Sequence, residues 1–389
     1  MDSPPDVFSP ARLGPLTLRN RIIKAATFEA ATPEALVTDD LINYHRRPAA
    51  GGLGMTTVAY LAVTPGGRTQ RKVIWMRPEA VPGLQRLTEA IHAEGAAISA
   101  QIAHAGPVAD AGSNGVEALA PTSHKKSHRN IRAATADDIA TVIDAHASAA
   151  RYAIDSGFDA VEVHLGHNYF CSAFLSPLLN RRDDEFGGTL ANRAKVARSV
   201  VQAVRRAVDD HGGGRIAVTA KLNMSDGVDG GIAVEESLQT ARWLQDDGCL
   251  DAIELTAGSS LVNPMYMFRG GAPGKDIPAL LPKAMAEIMR EYPYHDAYLL
   301  GDARLFRAEL TMPLILLGGI TNRESMDLAM AEGFEFVAMG RALLAEPDLL
   351  NRIRADGDAH TVRSVCTHTN DCMMTIYSHT HCVLTGAPD

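Results

Sequence analysis

The chain has 389 residues, 46% of them hydrophobic, and a formal net charge of −9. This acidic balance, with basic residues scattered along the chain, argues against a nucleic-acid-binding protein. No apolar run approaches the roughly 18 residues that a membrane-spanning helix needs, and no secretory leader opens the chain, so we expect no membrane partner and a cytoplasmic location.

Eight short aliphatic or β-branched runs recur along the chain, and each is followed by a longer segment with helical periodicity. They are residues 20–27, 53–63, 96–103, 159–164, 216–223, 251–256, 313–319 and 335–340. Most are continuously apolar, as expected of strands in a parallel sheet that is buried on both faces. The alternation predicts an α/β fold, a (β/α)8 TIM barrel that forms a single domain over residues 1–389, with a doubly wound open sheet as second choice.

Helix signals lie between the predicted strands. Thr135 with Asp138, and Thr321 with Glu324, have the spacing of a capping box. Residues 135–157 keep their apolar positions at helical spacing, which predicts a helix with one face on the core. Three glycines stand where a left-handed residue would end a helix: Gly157, Gly248 and Gly333.

Two segments are longer than ordinary connections, residues 104–134 after the third strand and residues 258–300 after the sixth. In a barrel both would rise from the carboxyl-terminal face, where catalysis takes place, so we expect them to set substrate selectivity. The tail over residues 363–389 is rich in His, Thr and Cys and gives no structural prediction. The five cysteines are an odd number in a large chain and are typical of free thiols.

The fourth predicted strand ends in His164, His167, Asn168 and Tyr169. Two imidazole N–H groups can hold a carbonyl or phenolate oxygen, and a tyrosine hydroxyl is a neutral proton donor at pH 7. No carboxylate or third ligand of suitable spacing accompanies the pair, so we predict no metal there. The group predicts a catalytic site that activates an electron-poor acceptor; the alternative is a pair of hydrogen-bonded core histidines.

Glycine-rich turns follow the last two predicted strands. Gly318 and Gly319 lead directly into a helix, and Gly340 and Arg341 follow the next strand. A close backbone approach and a helix N-terminus favour an anion, and barrel ligands usually bind their phosphate after strands seven and eight. We therefore predict a phosphate site here; ordinary helix capping with a surface arginine is the alternative.

Two polar residues, Gln101 and Lys221, lie near the ends of buried strands. An unpaired lysine in that position would be costly, and a bound anionic ring would remove the cost. The alternative is an ion pair of Lys221 within the barrel, with Glu162 or Glu254 as the partner.

The chain resembles the old yellow enzyme family of FMN-dependent oxidoreductases over nearly its whole length. The resemblance is carried by LTLRNRIIKAAT, SAQIAHAG, EVHLGHNYFCSAFLSPLLNRRDDEFGGTLANR, AKLN, LLGGI and VAMGRALL. It implies FMN as cofactor, NADH or NADPH as reductant, and a small-molecule substrate. The implied activity is an ene-reductase that reduces the C=C bond of activated alkenes such as α,β-unsaturated carbonyls by a ping-pong mechanism. The alternative is the reverse chemistry, an FMN-dependent dehydrogenase or demethylase.

The resemblance also implies a role for each candidate residue. His164 and His167 would bind the electron-withdrawing oxygen of the substrate, and Tyr169 would protonate the carbon α to it after hydride transfer from flavin N5. The remaining residues would bind FMN: Ala25, Ala26 and Thr27 along the isoalloxazine, Gln101 and Lys221 at its pyrimidine edge, and Gly318, Gly319, Gly340 and Arg341 at the phosphate. Many barrels of the family pair through their outer helices, which leaves a homo-oligomer open.

Several positions depart from the family pattern. Phe28 aligns with a residue that in many relatives is a Thr or Cys donating to the flavin; Thr27 takes that role if the register shifts by one. Lys221 stands in place of an arginine and lacks its planar fork. Thr369 stands where relatives with an iron–sulfur cluster have a cysteine. Cys366, Cys372 and Cys382 are then one ligand short, so we predict no cluster.

Overall fold

The computed structural model describes residues 3–29, 31–126, 129–274 and 290–386. Eight strands form a closed barrel in which each strand pairs with the next barrel strand along the chain and the last pairs with the first. Every pairing in the barrel is parallel. The predicted TIM barrel is confirmed, and the open doubly wound sheet is wrong because the first and last strands pair.

The barrel strands are β3 (Ile22–Phe28), β4 (Met55–Ala62), β5 (Ala97–Ala103), β9 (Ala160–Leu165), β10 (Ala217–Asn223), β11 (Ala252–Thr256), β12 (Leu314–Leu317) and β13 (Phe336–Met339). Each lies on one of the eight predicted runs. Outside the barrel are β1 (Ala11–Leu13), β2 (Leu16–Leu18), β6 (Ala118–Ala120), β7 (His124–Lys126) and β8 (Arg129–Ala133). Continuous apolar runs therefore identified the barrel strands and missed the short strands of the connections.

The helices of the described ranges are α1 (Asp39–Ala50), α2 (Val81–Ala93), α3 (Ala111–Asn114), α4 (Ala136–Asp155), α5 (Phe170–Leu175), α6 (Leu190–His211), α7 (Val234–Asp246), α8 (Leu300–Glu309), α9 (Arg323–Ala331), α10 (Arg341–Ala345) and α11 (Leu349–Asp356). None of these helices combines the length and hydropathy that a bilayer crossing requires. The long helices alternate with barrel strands and cover the outside of the barrel, as the fold demands.

One of the two predicted capping boxes is confirmed. The Thr135 hydroxyl accepts from the Asp138 amide at 3.1 Å, and α4 follows. The other prediction was one residue early, because α9 is capped by Asn322 with Ser325 rather than by Thr321 with Glu324. Asparagine is a stronger N-cap than threonine. The three predicted helix-ending glycines have positive φ angles of 82°, 64° and 83° at Gly157, Gly248 and Gly333.

Small side chains fill the amino-terminal end of the barrel, where Ala160, Ala217 and Ala252 begin three successive strands. The β1–β2 hairpin packs Leu13 and Leu18 against them and covers this end. The other end of the barrel receives the long segments after β5 and β11. The first of these contains α3 and a small sheet of β6, β8 and β7, so it is more ordered than its length suggested.

Candidate active site

The turn after β9 has an unusual backbone. His167 and Asn168 have φ angles of 60° and 58°, although neither is glycine. Left-handed backbone costs a residue with a side chain about 1 to 2 kcal/mol, so something must hold this turn in place. The turn reverses the chain from β9 into α5 and places Tyr169 as the residue before that helix.

A buried hydrogen-bond network centred on Asp226 holds the turn. Its carboxylate accepts from Asn168 Nδ2 at 3.1 Å and from Ser176 Oγ at 2.6 Å. Asn223 Nδ2 donates to it at 2.9 Å, and Ser259 Oγ donates to Asn168 Oδ1. Burial raises the pKa of Asp226, while these donors oppose the rise. The network joins three segments that are far apart in sequence, and it fixes Asn168 between the two candidate catalytic residues on either side.

His164, His167 and Tyr169 form one cluster at the barrel mouth. The ring centroid of His164 lies 5.0 Å from that of His167 and 4.7 Å from that of Tyr169. His167 Nε2 lies 3.0 Å from Thr256 Oγ1, whereas His164 Nδ1 is buried and has no hydrogen-bond partner among the described residues. A buried imidazole nitrogen without a partner is uncommon. It favours a ligand-binding pair over two core histidines that are already hydrogen-bonded.

Burial sets the protonation states of this cluster. Burial, with the charge of Lys221 adding to it, lowers the pKa of His167 to about 3. For the same reasons, and because His167 is adjacent, the pKa of His164 lies well below its usual value. Burial also raises the pKa of Tyr169 well above its usual value. At pH 7 the cluster therefore holds two neutral imidazoles and a protonated phenol, which suits it to donate hydrogen bonds and a proton.

Aromatic side chains continue from Tyr169 along one wall of the mouth. Tyr60 lies 5.3 Å from the ring of Tyr169, Phe28 lies 6.4 Å from Tyr60, and Tyr377 lies 5.9 Å from Phe28. Phe28 ends β3, and Tyr377 comes from the tail. In the sequence Phe28 stands out only as a position without a hydrogen-bond donor, and no local signal marks Tyr60 or Tyr377. Together these rings give the mouth an apolar face.

Gln101 and Lys221 meet inside the barrel, and the ion pair left open as an alternative is present. Lys221 Nζ lies 2.8 Å from Glu254 Oε1 and 3.8 Å from Glu162 Oε1. Gln101 Nε2 donates to Glu162 Oε1 at 2.6 Å. Lys221 is the register neighbour of His164 across β9 and β10, and its charge acts on both histidines. An ion pair and a flavin contact are compatible, because an ammonium has three donors.

The β3 residues predicted to lie along the flavin differ in their surroundings. Ala25 packs with the barrel interior, whereas Ala26 is only partly buried. The Thr27 hydroxyl receives a hydrogen bond from Lys24 Nζ at 2.9 Å and lies 2.8 Å from the Tyr44 hydroxyl. The β3–β4 register shifts between Lys24 and Thr27. Thr27 is thus already engaged, which weakens the idea that it replaces the donor missing at Phe28.

Lys24 begins a buried network that the sequence analysis missed. Its ammonium lies 3.8 Å from Glu29 Oε1, and His45 Nε2 lies 3.6 Å from the same oxygen. The His45 Nδ1 atom is 2.8 Å from Thr56 Oγ1. Burial lowers the pKa of Lys24 to about 8, and Glu29 opposes this. Lys24 lies on β3, Glu29 just after that strand, Thr56 on β4 and His45 on α1, and no sequence spacing could have shown that they meet.

The glycine turn after β12 is tightly packed. Gly318 and Gly319 have φ angles of 102° and 79°. A Cβ on Gly318 would lie 2.7 Å from the Leu299 side chain, and one on Gly319 would lie 2.8 Å from the Ala297 amide. Both positions therefore require glycine because the segment before α8 passes against them. A Cβ on Gly340, by contrast, would meet only Thr27 Cγ2, at 3.7 Å, so the space beside Gly340 is open.

Arg341 lies beside this open space and also contacts the tail. Its Nη1 donates to the Arg269 carbonyl at 3.0 Å and to Asn370 Oδ1. Asn370 Nδ2 in turn donates to the carbonyls of Phe268 and Gly271, at 2.8 and 2.9 Å. The predicted phosphate residue is thus fixed by the tail, a contact that the sequence did not indicate.

The three tail cysteines line one cavity with Arg341: they are Cys366, Cys372 and Cys382. Burial raises the pKa of the Cys366 thiol and raises that of Cys372 to about 11. Such thiols are poor nucleophiles at neutral pH. Within the described ranges, no group of three His, Cys, Asp or Glu side chains is placed to hold a metal ion.

The site residues fit a flavin mononucleotide. The amide of Gln101 on β5 and the buried cation of Lys221 on β10 flank β9, the strand that carries the neutral donors, while an open glycine beside an arginine follows β13 across the barrel. The sequence profile of the NADH:flavin oxidoreductase / NADH oxidase family matches residues 6–259. The chain belongs to this family. Its cofactor is FMN and its reductant is NADH or NADPH, as the resemblance to the old yellow enzymes implied.

Relatives of this oxidoreductase differ in length and activity. The chain is 50% identical over 393 residues to 4,4'-dithiodibutanoate disulfide reductase from Rhodococcus erythropolis, covering 98% of this chain and 96% of that protein. It is 32% identical to a metal reductase from Desulforamulus reducens, covering 89% of this chain but only 48% of that protein. A structure of 2-naphthoyl-CoA reductase with 2-naphthoyl-CoA has a TM-score of 0.83 at 23% identity, covering 98% of this chain and 57% of that one. That last similarity shows the fold alone.

Proposed function

We propose that this flavin oxidoreductase is an ene-reductase that uses NAD(P)H to reduce the C=C bond of activated alkenes. The observation that carries the proposal is the cluster of His164, His167 and Tyr169, which is neutral at pH 7 and contains an imidazole nitrogen that has no hydrogen-bond partner in the described part of the chain. Gln101, Lys221, Gly340 and Arg341 would hold FMN, which would supply the hydride chemistry that links NAD(P)H to the β carbon of the alkene. The rest of the chemistry depends on the protein's own side chains.

Each side chain of the cluster has a distinct task in this proposal. His164 and His167 hold the electron-withdrawing oxygen of the alkene by N–H donation, which draws electron density from the C=C bond. Tyr169 delivers a proton to the α carbon, because its pKa stays high and its ring lies against His164. The rings of Phe28 and Tyr60 cover the same side of the mouth and favour a planar conjugated substrate.

Anaerobic half-reactions test the proposal. Flavin reduction by NADH or NADPH is followed by absorbance, and the reduced enzyme is then mixed with an α,β-unsaturated ketone or aldehyde. Rapid return of the oxidised flavin spectrum, with formation of the saturated carbonyl, is expected. If no activated alkene reoxidises the flavin, the proposal fails and the reverse chemistry, a dehydrogenase or demethylase, takes its place.

A second candidate function is the reduction of a small disulfide. It is favoured by the 50% identity to the Rhodococcus erythropolis disulfide reductase, which extends over nearly both chains. The balanced reaction consumes one disulfide, NAD(P)H and a proton and yields two thiols and NAD(P)⁺. The raised pKa values of Cys366 and Cys372 argue against thiol exchange in the tail, so the disulfide would react in the flavin pocket.

Two variants separate these candidates in the same assay. Tyr169→Phe should slow turnover of the alkene and spare that of 4,4'-dithiodibutanoate, because the sulfur atoms of the two thiol products can take protons from solvent and no carbon is protonated. Cys372→Ser should leave both activities unchanged. Loss of disulfide reduction in Cys372→Ser, with alkene reduction intact, would instead place the disulfide chemistry on the tail thiols.

A further inference from the structure

A cluster of buried charges lies inside the barrel beneath the histidine pair. Lys221 on β10 contacts Glu254 on β11 at 2.8 Å and lies 3.8 Å from Glu162 on β9. The three side chains are at most 3% exposed. With both carboxylates ionised, two negative charges face one positive charge and the cluster is net negative. Buried charges are normally matched, so this excess needs an explanation.

The cluster also has too few hydrogen-bond donors. Gln101 Nε2 donates to Glu162 Oε1, but Glu254 Oε2 is buried and has no hydrogen-bond partner among the described residues. His164 follows Glu162 by two residues on β9, and its pKa lies well below its usual value, so it adds no positive charge. The next ammonium is that of Lys24, which is already 3.8 Å from Glu29.

Glu162 is the carboxylate less well stabilised by Lys221. Its nearest oxygen lies 3.8 Å from the ammonium, against 2.8 Å for Glu254, and Coulomb attraction weakens with distance. Gln101 can keep its hydrogen bond to the carbonyl oxygen of a protonated Glu162, so protonation would not orphan the amide. The geometry therefore singles out Glu162 as the site where a proton would neutralise the excess charge.

We propose that Glu162 takes up a proton from solvent when the bound flavin is reduced. The inference rests on the proposed function and on the predicted contact of Lys221 with the pyrimidine edge of FMN. The hydride from NAD(P)H brings two electrons and one proton to the flavin, which leaves one net negative charge beside Lys221. The second proton binds Glu162, so the protein and flavin together gain two electrons and two protons. On transfer of the hydride to the acceptor, Glu162 returns its proton to solvent.

The pH range of this proton uptake follows from the pKa of Glu162 in the oxidised enzyme. Burial raises the pKa of Glu162 to about 7, Lys221 opposes this, and Glu254 adds to it. Added negative charge on the flavin raises the pKa further. Below about pH 7 Glu162 is already protonated in the oxidised enzyme and takes up nothing. Above it, reduction and proton uptake are linked until the higher pKa of the reduced state is passed.

Spectroelectrochemical titration of the FMN-bound enzyme at a series of pH values tests the proposal without any substrate. Above pH 7 the midpoint potential of the unmodified enzyme should change with the slope of two protons per two electrons. In Glu162→Gln the slope should fall to one proton per two electrons, while the absorption spectrum of the reduced flavin remains that of the anionic form. The exposed Glu79→Gln serves as control and should keep the slope of the unmodified enzyme.

An infrared measurement covers the case in which the variant does not fold or bind FMN. The reduced-minus-oxidised difference spectrum of the unmodified enzyme should gain a protonated carboxyl C=O band. Absence of that band, an unchanged slope in Glu162→Gln, or loss of uptake in Glu254→Gln alone would each overturn the assignment. Because the electrode replaces both NAD(P)H and acceptor, failure of the alkene proposal would leave this result unaffected.

Discussion

The turn after β9 and the contact between Arg341 and the tail differ in how they are built. The β9 turn, residues 164–169, brings its candidate catalytic residues within six positions of one another. The tail contact, made by Arg341, Asn370 and residues 268–271, joins three segments: Asn370 is 29 residues from Arg341 and 99 residues from Gly271 in the sequence. The turn could be interpreted from sequence because strand direction alone places its side chains at the barrel mouth. The tail contact depends on packing that no short motif encodes.

The largest effect is expected at the β9 turn, from Tyr169→Phe. Flavin reduction by NAD(P)H should be almost unchanged, whereas reoxidation by an enone should slow by roughly 10² to 10⁴-fold, the usual contribution of a positioned general acid. Stopped-flow absorbance measures both half-reactions. Reoxidation by a quinone, which needs no protonated carbon, is the control. Equal slowing of both half-reactions would mean that the pocket is distorted and would remove Tyr169 as the proton donor.

Asp226→Ala tests what holds the turn. The carboxylate accepts from Asn168, Ser176 and Asn223, and hydrogen bonds to charged groups contribute about 1.5 to 3 kcal/mol each, so we expect a loss of about 3 kcal/mol in the free energy of unfolding. Chemical denaturation measures it, and Asp229→Ala at an exposed position is the matched control. Unchanged stability would show that the left-handed backbone at Asn168 is held by something other than this network.

Arg341→Ala tests the part of the site that contacts the tail. If Arg341 contacts the FMN phosphate, its loss should weaken FMN binding by about 1.5 to 3 kcal/mol, as expected for a charge-assisted contact. Fluorescence titration of the apoprotein with FMN and with riboflavin measures the effect. Riboflavin lacks the phosphate, so its affinity should not change. Arg354→Ala, an exposed arginine on α11, is the control. An equal loss for both flavins would assign Arg341 to structure alone.

The same regions show which parts of the fold and the site can be predicted from the sequence. The eight barrel strands and the helix after Thr135 follow from continuous apolar runs and a local cap, so they were predictable within two residues. The grouping of His164, His167 and Tyr169 follows from one strand end. The pairing of Lys221 with two glutamates could only be offered as an alternative, because spacing does not report how neighbouring strands are staggered. The Asp226 network and the ring contact between Tyr377 and Phe28 depend on tertiary packing alone.

The smallest effect is expected for Asn370→Ala, which separates the tail from Arg341 without removing the arginine. Asn370 has a φ of 64° and joins Arg341 to the carbonyls of Phe268 and Gly271. Neutral hydrogen bonds contribute about 0.5 to 1.5 kcal/mol each, so hydrogen exchange in residues 363–386 should accelerate while FMN binding weakens by less than roughly tenfold.

The comparison with Arg341→Ala decides what the tail contributes. If the tail only orients the guanidinium, Asn370→Ala should weaken FMN binding by part of the amount that Arg341→Ala does. It should leave riboflavin binding unchanged. Thr380 offers an independent check, since its hydroxyl donates to the Phe28 carbonyl at 2.6 Å and anchors the tail to the end of β3. Thr380→Val should speed exchange in the tail as well, but it should leave FMN affinity unchanged because it does not touch Arg341. A loss of FMN affinity in Thr380→Val equal to that in Asn370→Ala would show that the tail acts as a general cover over the flavin and not through its contact with Arg341.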